Sequence, residues 1–320
     1  MKMHTETIHK ITIPTPFLVG PVNVYLICGE VLTLVDTGPL TKEGEKTLIE
    51  QLKALGYQLA DIDQVVLTHH HPDHVGLAGL FHSSVLIGHR YLRPWLQKDK
   101  SFFDQHRKFF QEFYREHGVP GETIQKVLHA SSVYMSYIEP TDLDVIVMHG
   151  DQLPGHPDWT VLEVPGHAQN HIMLIREQDQ LAIGADVLIG TISSNALLEA
   201  PMEEGAERPK TLLQYRKSLE LMKSLGVSSV LPGHGETINE VDQLIDKRLK
   251  GHLDRAQLIK QILSTNRWSA HEISYQLFKE KHVKQPELTF SETFGHLDLL
   301  LERNEVKMSK EDGIFIFYNE

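Results

Sequence analysis

A chain of 320 residues, 41% apolar and 23% charged, has the makeup of a water-exposed globular protein with one large domain, or a large and a small one. Its formal net charge of −12 argues against nucleic acid as first partner, because an acidic surface repels polyanions. No apolar run reaches the ~18 residues that cross a bilayer, and the opening MKMHTETIHKITIPTP lacks the apolar core and cleavage site of a signal peptide; with a single cysteine, Cys28, the expectation is a reducing, cytoplasmic home without a membrane partner.

The N-terminal third alternates short β-rich runs with turns. HKITIPTP, VNVYLICGE and VLTLVDTG read as three strands, the last two joined at Gly29-Glu30. TKEGEKTLIEQLKALG has helical spacing through Leu48, Leu52 and Leu55, with Thr41 placed to cap its start and Gly56 just past its end. DQVVLT is a short apolar strand that runs into LTHHHPDH. The histidine cluster therefore occupies a loop after a strand, where α/β folds mount ligands.

Residues 90 to 140 read as a helical insertion, with Phe102, Phe103, Phe109, Phe110, Phe113 and Tyr114 close to a helical period. It is either a lid or pocket wall, or an extra helical pair packed on the body. Arg90, Arg93 and Arg107 are its candidates for meeting an anionic substrate, against a reading as a solvated charged face. Strand patterns return in DLDVIVMHG, WTVLEVPGH, HIMLIREQ and QLAIGADVL, followed by a helix in TLLQYRKSLELMKSLG and a last strand in SSVLPGHGET. After about residue 240 the pattern changes. VDQLIDKRLKGHLDRAQLIKQIL is a long amphipathic helix, SAHEISYQLF and FSETFGHLDLLLERNEV are shorter ones, and KMSKEDGIFIFYN is a hairpin turning at Glu311-Asp312-Gly313. The expectation is a catalytic domain over residues 1–240 and a small winged-helix-like domain over 241–320.

Twenty histidines, one residue in sixteen, point to metal ligation. Within THHHPDH the useful spacing is His-x-His-x-Asp-His: His69, His71, Asp73 and His74. Residues two apart on an extended segment project to the same side, so His69 and His71 can grip one ion. Asp73 and His74, after the chain turns at Pro72, can face a second, while His70 points the other way. Four ligands do not complete two shells. Three more candidates end strands elsewhere: His167 in LEVPGHAQNH, Asp186 in LAIGADVL and His234 in VLPGHGET. The two Pro-Gly-His turns suit ligation, since proline stiffens the approach and glycine lets the backbone come close to an ion. His171, four residues beyond His167, is a candidate for a supporting or substrate-facing role.

From residue 1 to about 240, the ordered set LVDTG, THHHPDH, PGH, GAD and PGHG resembles the metallo-β-lactamase superfamily of binuclear metallohydrolases. The resemblance implies an α+β, four-layer αβ/βα sandwich with two metals between the sheet edges. It implies His69, His71 and His167 at the first metal, Asp73, His74 and His234 at the second, and Asp186 bridging them. Asp36, in LVDTG, matches a position that supports the site from behind its ligands.

The chemistry expected is hydrolysis. Two divalent ions lower the pKa of a shared water from 15.7 to roughly 7, so that a bridging hydroxide forms near neutral pH and attacks an electrophilic carbonyl or phosphorus centre. Asp73 would orient that nucleophile and carry its proton. Imidazole-rich sites favour zinc, and imidazole with carboxylate also suits iron or manganese. The first substrate class is a small-molecule ester, thioester or lactone.

The alternative is an endoribonuclease or phosphodiesterase, because the domain order resembles lactamase-β-like endoribonucleases and HLDRAQLI, with His252 and Arg255, falls where those carry a similar helix. Against it, SETFGHLDLLLER carries Glu292, Asp298 and Glu302 against only Arg303, where a nucleic-acid-reading helix needs to be basic. A minor alternative is an iron-dependent sulfur dioxygenase, which shares the histidine motif. The tail is expected to pack on the core, shape the rim of the site or form a homodimer contact. There is no Gly-x-Ser-x-Gly elbow, no Walker or dinucleotide glycine motif, and Cys28 reads as core.

Overall fold

The computed structural model describes residues 6–203 and 205–319. Its first sheet has six strands in chain order: β1 (Thr7–Ile13), β2 (Val22–Cys28), β3 (Leu32–Val35), β4 (Gln64–Leu67), β5 (Val85–Gly88) and β6 (Val145–Ile146). β1 to β3 form an antiparallel meander, and β3 to β6 run parallel. The parallel pairs require crossovers, which the helices supply: α1 (Lys42–Ala54), the short α2 (Pro72–Val75), and α3 (Arg93–Leu96), α4 (Lys100–Glu116) and α5 (Gly121–Tyr134) of the insertion. Thr41 accepts a hydrogen bond from the Gly44 amide at 2.9 Å, capping α1 as its sequence implied, and Gly56 follows the helix with φ +91°.

The second sheet has the order β11-β10-β9-β8-β7, made of β7 (Gln152–Leu153), β8 (His156–Glu163), β9 (Ile172–Arg176), β10 (Leu181–Ala185) and β11 (Ser229–Pro232), with α6 (Thr211–Ser224) crossing between the last two. Strand period decides the layering. On the first sheet Val24, Leu26, Leu34 and Val65 face α1, Leu48 and Leu52, whereas Tyr25, Ile27, Val35 and Val66 face the second sheet. On the second sheet Val161, Ile172, Leu174 and Ile183 meet that inner layer, and Leu162, Met173, Ile175 and Ala182 point outward to α6. Three apolar layers separate four layers of secondary structure, the sandwich that the motif order implied.

The tail consists of α7 (Val241–Ile262), β12 (Trp268–Ser269), α8 (Ala270–Phe278), α9 (Glu280–Lys284), α10 (Pro286–Glu302) and the hairpin of β13 (Lys307–Glu311) and β14 (Ile314–Tyr318), with sheet order β12-β14-β13. A reciprocal cap between Ser269 and Glu272 opens α8. α10 is buried almost all round, and its Phe290, Phe294 and Leu297 share one core with Leu212 and Tyr215 of α6 and Tyr114 of α4. Tail, insertion and second sheet thus have continuous packing.

Local pattern reading fell short on the smallest elements. DLDVIVMHG holds only the two-residue β6, the insertion has a third helix in α3, and β5, β7, β12 and α9 gave no usable signal. Segments of two to five residues are too short for a period to show and are stabilised by neighbours distant in sequence.

Candidate metal centre

β8, β10 and β11 run in the same direction, so the loops after them emerge at one edge of the second sheet, facing the loop after β4. His69 and His71 follow β4. Pro72 occupies the first turn of α2 and starts the helix that carries Asp73 and His74. His167 lies in the loop after β8, Asp186 directly after β10 and His234 two residues after β11. All seven are buried.

Their donor atoms converge in two groups, His69, His71, His167 and Asp186 in one and Asp73, His74 and His234 in the other; within each group the atoms lie within 4.8 Å of one another. His71 Nδ1 is 3.0 Å from His69 Nε2 and 2.9 Å from His167 Nε2. Three nitrogens held ~2.0–2.1 Å from one tetrahedral ion would stand about 3.3 Å apart, so the trio needs only slight expansion. Asp186 lies between the groups: Oδ1 is 3.4 Å from His74 Nε2, while Oδ2 is 3.5 Å from His167 Nε2 and 3.6 Å from His234 Nε2. Asp73 Oδ2 is 3.3 Å from His234 Nε2.

The surroundings fix which nitrogen of each ring faces inward. His74 Nδ1 donates to Asp36 Oδ2 at 2.7 Å, His167 Nδ1 to the Asn195 carbonyl at 2.9 Å, and His234 Nδ1 to the Pro21 carbonyl at 2.8 Å. His69 Nδ1 contacts Thr68 Oγ1 at 3.1 Å, and Thr68 Oγ1 donates to Asp36 Oδ2 at 2.8 Å. With the outer nitrogen carrying the proton, these four rings keep the Nε2 lone pair for the centre, whereas His71 turns its Nδ1 inward. His74 Nε2, His234 Nε2 and Asp186 Oδ1 are buried without a hydrogen-bond partner. Buried polar atoms left unmatched in this way are costly unless something binds them, and a donor set of imidazoles with two carboxylates fits divalent cations.

Electrostatics separates the rings. Burial pulls the pKa of His69 and His71 well below the ordinary value, reinforced at His69 by His74 and at His71 by His167. His167 is also lowered by burial, with Asp186 opposing. At His74 burial acts in the same sense, but Asp186, Asp36 and Asp73 outweigh it and the pKa rises; at His234 the nearby Asp186 and Asp73 carboxylates do the same. Burial raises Asp186, yet His74 and His234 more than reverse it and hold the carboxylate ionised.

Asp36 has φ +63°, a left-handed conformation that aspartate tolerates, and this aims its carboxylate at the Thr68 amide as well as at His74. Ala185, with φ +44°, sits at the register shift between β10 and β11 and turns the chain into Asp186. The two Pro-Gly-His glycines have different reasons. A Cβ at Gly233 would lie 2.3 Å from Asp186 Oδ1, so this glycine does make room at the centre. A Cβ at Gly166 would lie 2.3 Å from the Tyr215 amide of α6, so that glycine serves helix packing instead.

His70 turns away, stacking on Trp95 at 3.8 Å and contacting Asn170 Oδ1 through Nδ1. His171 is 1% exposed and stacks on His69 with ring centroids 4.6 Å apart, so it backs a ring of the centre and does not line a mouth. Tyr134, at the end of α5, was missed. Its ring is 6.2 Å from that of His71 and 4.9 Å from Phe17, and burial followed by the charges of Asp73 and Asp186 pushes its phenol up. Its hydroxyl makes no hydrogen bond among the described residues. No sequence signal pointed to it, since a tyrosine ending an insertion helix reads as packing.

A profile of the metallo-beta-lactamase superfamily matches residues 18–234. The chain belongs to that superfamily. It is 40% identical over 317 residues to the "Probable metallo-hydrolase YqjP" of Bacillus subtilis, covering 99% of this chain and 98% of the relative. Among solved structures it resembles the metallo-beta-lactamase family protein TTHA1429 of Thermus thermophilus, with a TM-score of 0.81, 26% identity and 98% of both chains covered. A beta-lactamase domain protein of Burkholderia ambifaria shares the fold at a TM-score of 0.79 and 22% identity, over 98% of this chain and 92% of that one. Both structural likenesses extend through the tail. No helix among the described residues is long and apolar enough to cross a membrane.

Proposed function

We propose that this chain is a binuclear metal-dependent hydrolase acting on a small-molecule ester, thioester or lactone. The observation that carries the reading is the set of seven buried donor side chains whose inward atoms converge, with the outward nitrogens of His69, His74, His167 and His234 tied to protein partners. The superfamily membership and the relative described as a probable metallo-hydrolase support it. His69, His71 and His167 would hold one divalent ion, Asp73, His74 and His234 the other, with Asp186 between; zinc suits this donor set best. Such ions, when bound, polarise a carbonyl and lower the pKa of water.

The chain's own residues then divide the work. Asp73, a carboxylate at the edge of the second group, accepts the proton of the attacking water. Tyr134 donates its hydroxyl hydrogen to the carbonyl oxygen as negative charge gathers there, a role that a phenol without another partner is free to fill. Asp36 and Thr68 hold His74 and His69 in orientation.

The ribonuclease alternative gains nothing from the tail. His252 is buried, and the partly exposed Arg255 lies 3.6 Å from Glu292 and over the Phe278 ring, already facing a carboxylate. The test pairs elemental analysis with a hydrolysis panel of thioesters, lactones, aryl esters, bis-aryl phosphodiesters and single-stranded RNA. Two metal equivalents and chelator-sensitive turnover of a carbonyl substrate are expected. RNA cleavage with steeply salt-weakened binding would overturn the substrate class, and oxygen uptake by iron-loaded protein would replace hydrolysis with dioxygenation.

A further inference from the structure

The chain that leaves β10 at Asp186 returns within ten residues to His167. His167 Nδ1 meets the Asn195 carbonyl at 2.9 Å and Ser194 Oγ at 3.2 Å, and Ser194 Oγ in turn donates to the Asp186 carbonyl. Residues 186–195 thus close on two donors of one group. No helix or strand holds their shape. Val187, Leu188 and Ile189 are buried at one end and Ser194 at the other, while residues 190–193 between them are exposed.

What holds the exposed stretch comes from the tail. Arg248, on α7, directs one guanidinium nitrogen at the carbonyls of Ile192 at 2.7 Å, Ile189 at 2.9 Å and Gly190 at 3.2 Å. Among the described residues these are the only hydrogen bonds made to residues 190–193, and Arg248 has no carboxylate partner there. Carbonyl oxygens crowded around one point repel each other unless a donor or a cation sits among them. A guanidinium is both, and its charge-assisted bonds are roughly twice as strong as neutral ones. Tyr215 of α6 donates to the Val187 carbonyl at 3.0 Å, so α6 holds the start of the loop and α7 its middle.

We propose that Arg248 is a positioning residue for the metal centre: by gathering the carbonyls of Ile189, Gly190 and Ile192 it makes the loop set the Asp186 carboxylate and the His167 ring in the donor cluster. The inference rests on the metal-dependent reading above, and adds that the tail, which contributes no donor, is part of the construction of the site. Cutting the three bonds leaves the buried anchors at either end in place and frees the span between them. Asp186 and His167 then lose their common brace, while the Asp36 contact to His74 and the Pro21 contact to His234 are untouched. The group of His69, His71, His167 and Asp186 loosens first.

The test uses the full chain as Arg248→Ala, as Arg248→Lys, which keeps the charge, and as Lys223→Ala, a control that breaks the separate α6–α7 ion pair to Asp246. Should Arg248→Ala unfold, Arg248→Gln, of similar length and without the charge, takes its place with the same expectation. Hydrogen exchange of the metal-free proteins, read by mass spectrometry, is expected to quicken about tenfold across residues 187–195 in Arg248→Ala, less in Arg248→Lys and not in the control. Competition with a chelator for zinc ions should show about tenfold weaker binding by Arg248→Ala, partial recovery in Arg248→Lys and wild-type affinity in Lys223→Ala. Unchanged exchange, faster exchange with wild-type zinc affinity, or an equal loss in Lys223→Ala would overturn the role of Arg248 and leave the metal reading standing. Wild-type protein that takes up no zinc would overturn the metallohydrolase reading and this inference with it.

Discussion

Two sets of buried histidines in this molecule look alike in sequence and behave oppositely. Around the donor cluster, His74 and His234 face Asp36, Asp73 and Asp186, their Nε2 atoms lack hydrogen-bond partners, and their pKa values rise despite burial. Away from it, His117 stacks on Phe113 and is lowered by burial to about 4, and His252 packs near Tyr215 and His296 and is lowered to about 3. Burial is common to both sets. What separates them is carboxylates within reach and an inward lone pair left over after the other nitrogen has found a partner. A high histidine count is therefore a weak indicator of ligation; convergence with acids is a strong one.

The contrast can be broken most severely at its centre. Asp186→Ala removes the carboxylate between the two groups and should lower turnover by about 10³-fold or more, with metal content falling in elemental analysis. Retention of both metals at full rate would sink the site as described. Tyr134→Phe should cost on the order of 10²-fold in kcat while metal content stays at the wild-type level, since the phenol contributes a hydrogen bond and no ligand; loss of metal instead would assign it a structural part. Asp36→Ala frees the His74 ring and should weaken metal affinity by about 10–100-fold in a chelator competition, with Asp36→Asn milder.

The other histidine set is probed through stability. Unfolded His252 binds its proton near the ordinary 6.5, and the folded residue only near 3. The unfolded state thus holds more protons between these values, and stability falls as pH drops through that window by about 1.4 kcal/mol per unit for such a residue. Thermal unfolding of His252→Gln should show a shallower acid limb, and an unchanged slope would mean that His252 is not protected. Glu199 gives the smallest effect and the opposite sign. It is buried, accepts from the Gln169 amide at 2.8 Å, and is pushed up to about 8 by burial. Folding keeps its proton where the unfolded chain, near 4.5, has released it, so stability is lost as pH rises from 4.5 toward 8. Glu199→Gln should gain roughly 1–3 kcal/mol at the alkaline end and nothing below pH 4, as read from denaturant midpoints.

Much of the candidate site was legible beforehand because its parts are local. His-x-His on an extended segment, the turn at Pro72, and the strand-end settings of His167, Asp186 and His234 are short-range features of the chain. The helix from Lys42 to Ala54 was equally plain, since caps and period lie within its own residues. Tyr134 gave no such signal. Its significance arises from what the fold sets opposite it, across distances no local pattern spans.

By itself, then, the primary structure determined which atoms are able to bind cations and the order in which strands and helices would present them. The tertiary structure alone decided which nitrogen of each imidazole faces inward, and that Gly166 serves α6 while Gly233 serves the centre. The physical reason is range. Backbone propensity and side-chain chemistry act over a few residues, whereas a lone pair left free or a glycine with no room for a Cβ is defined by neighbours brought in from elsewhere in the chain.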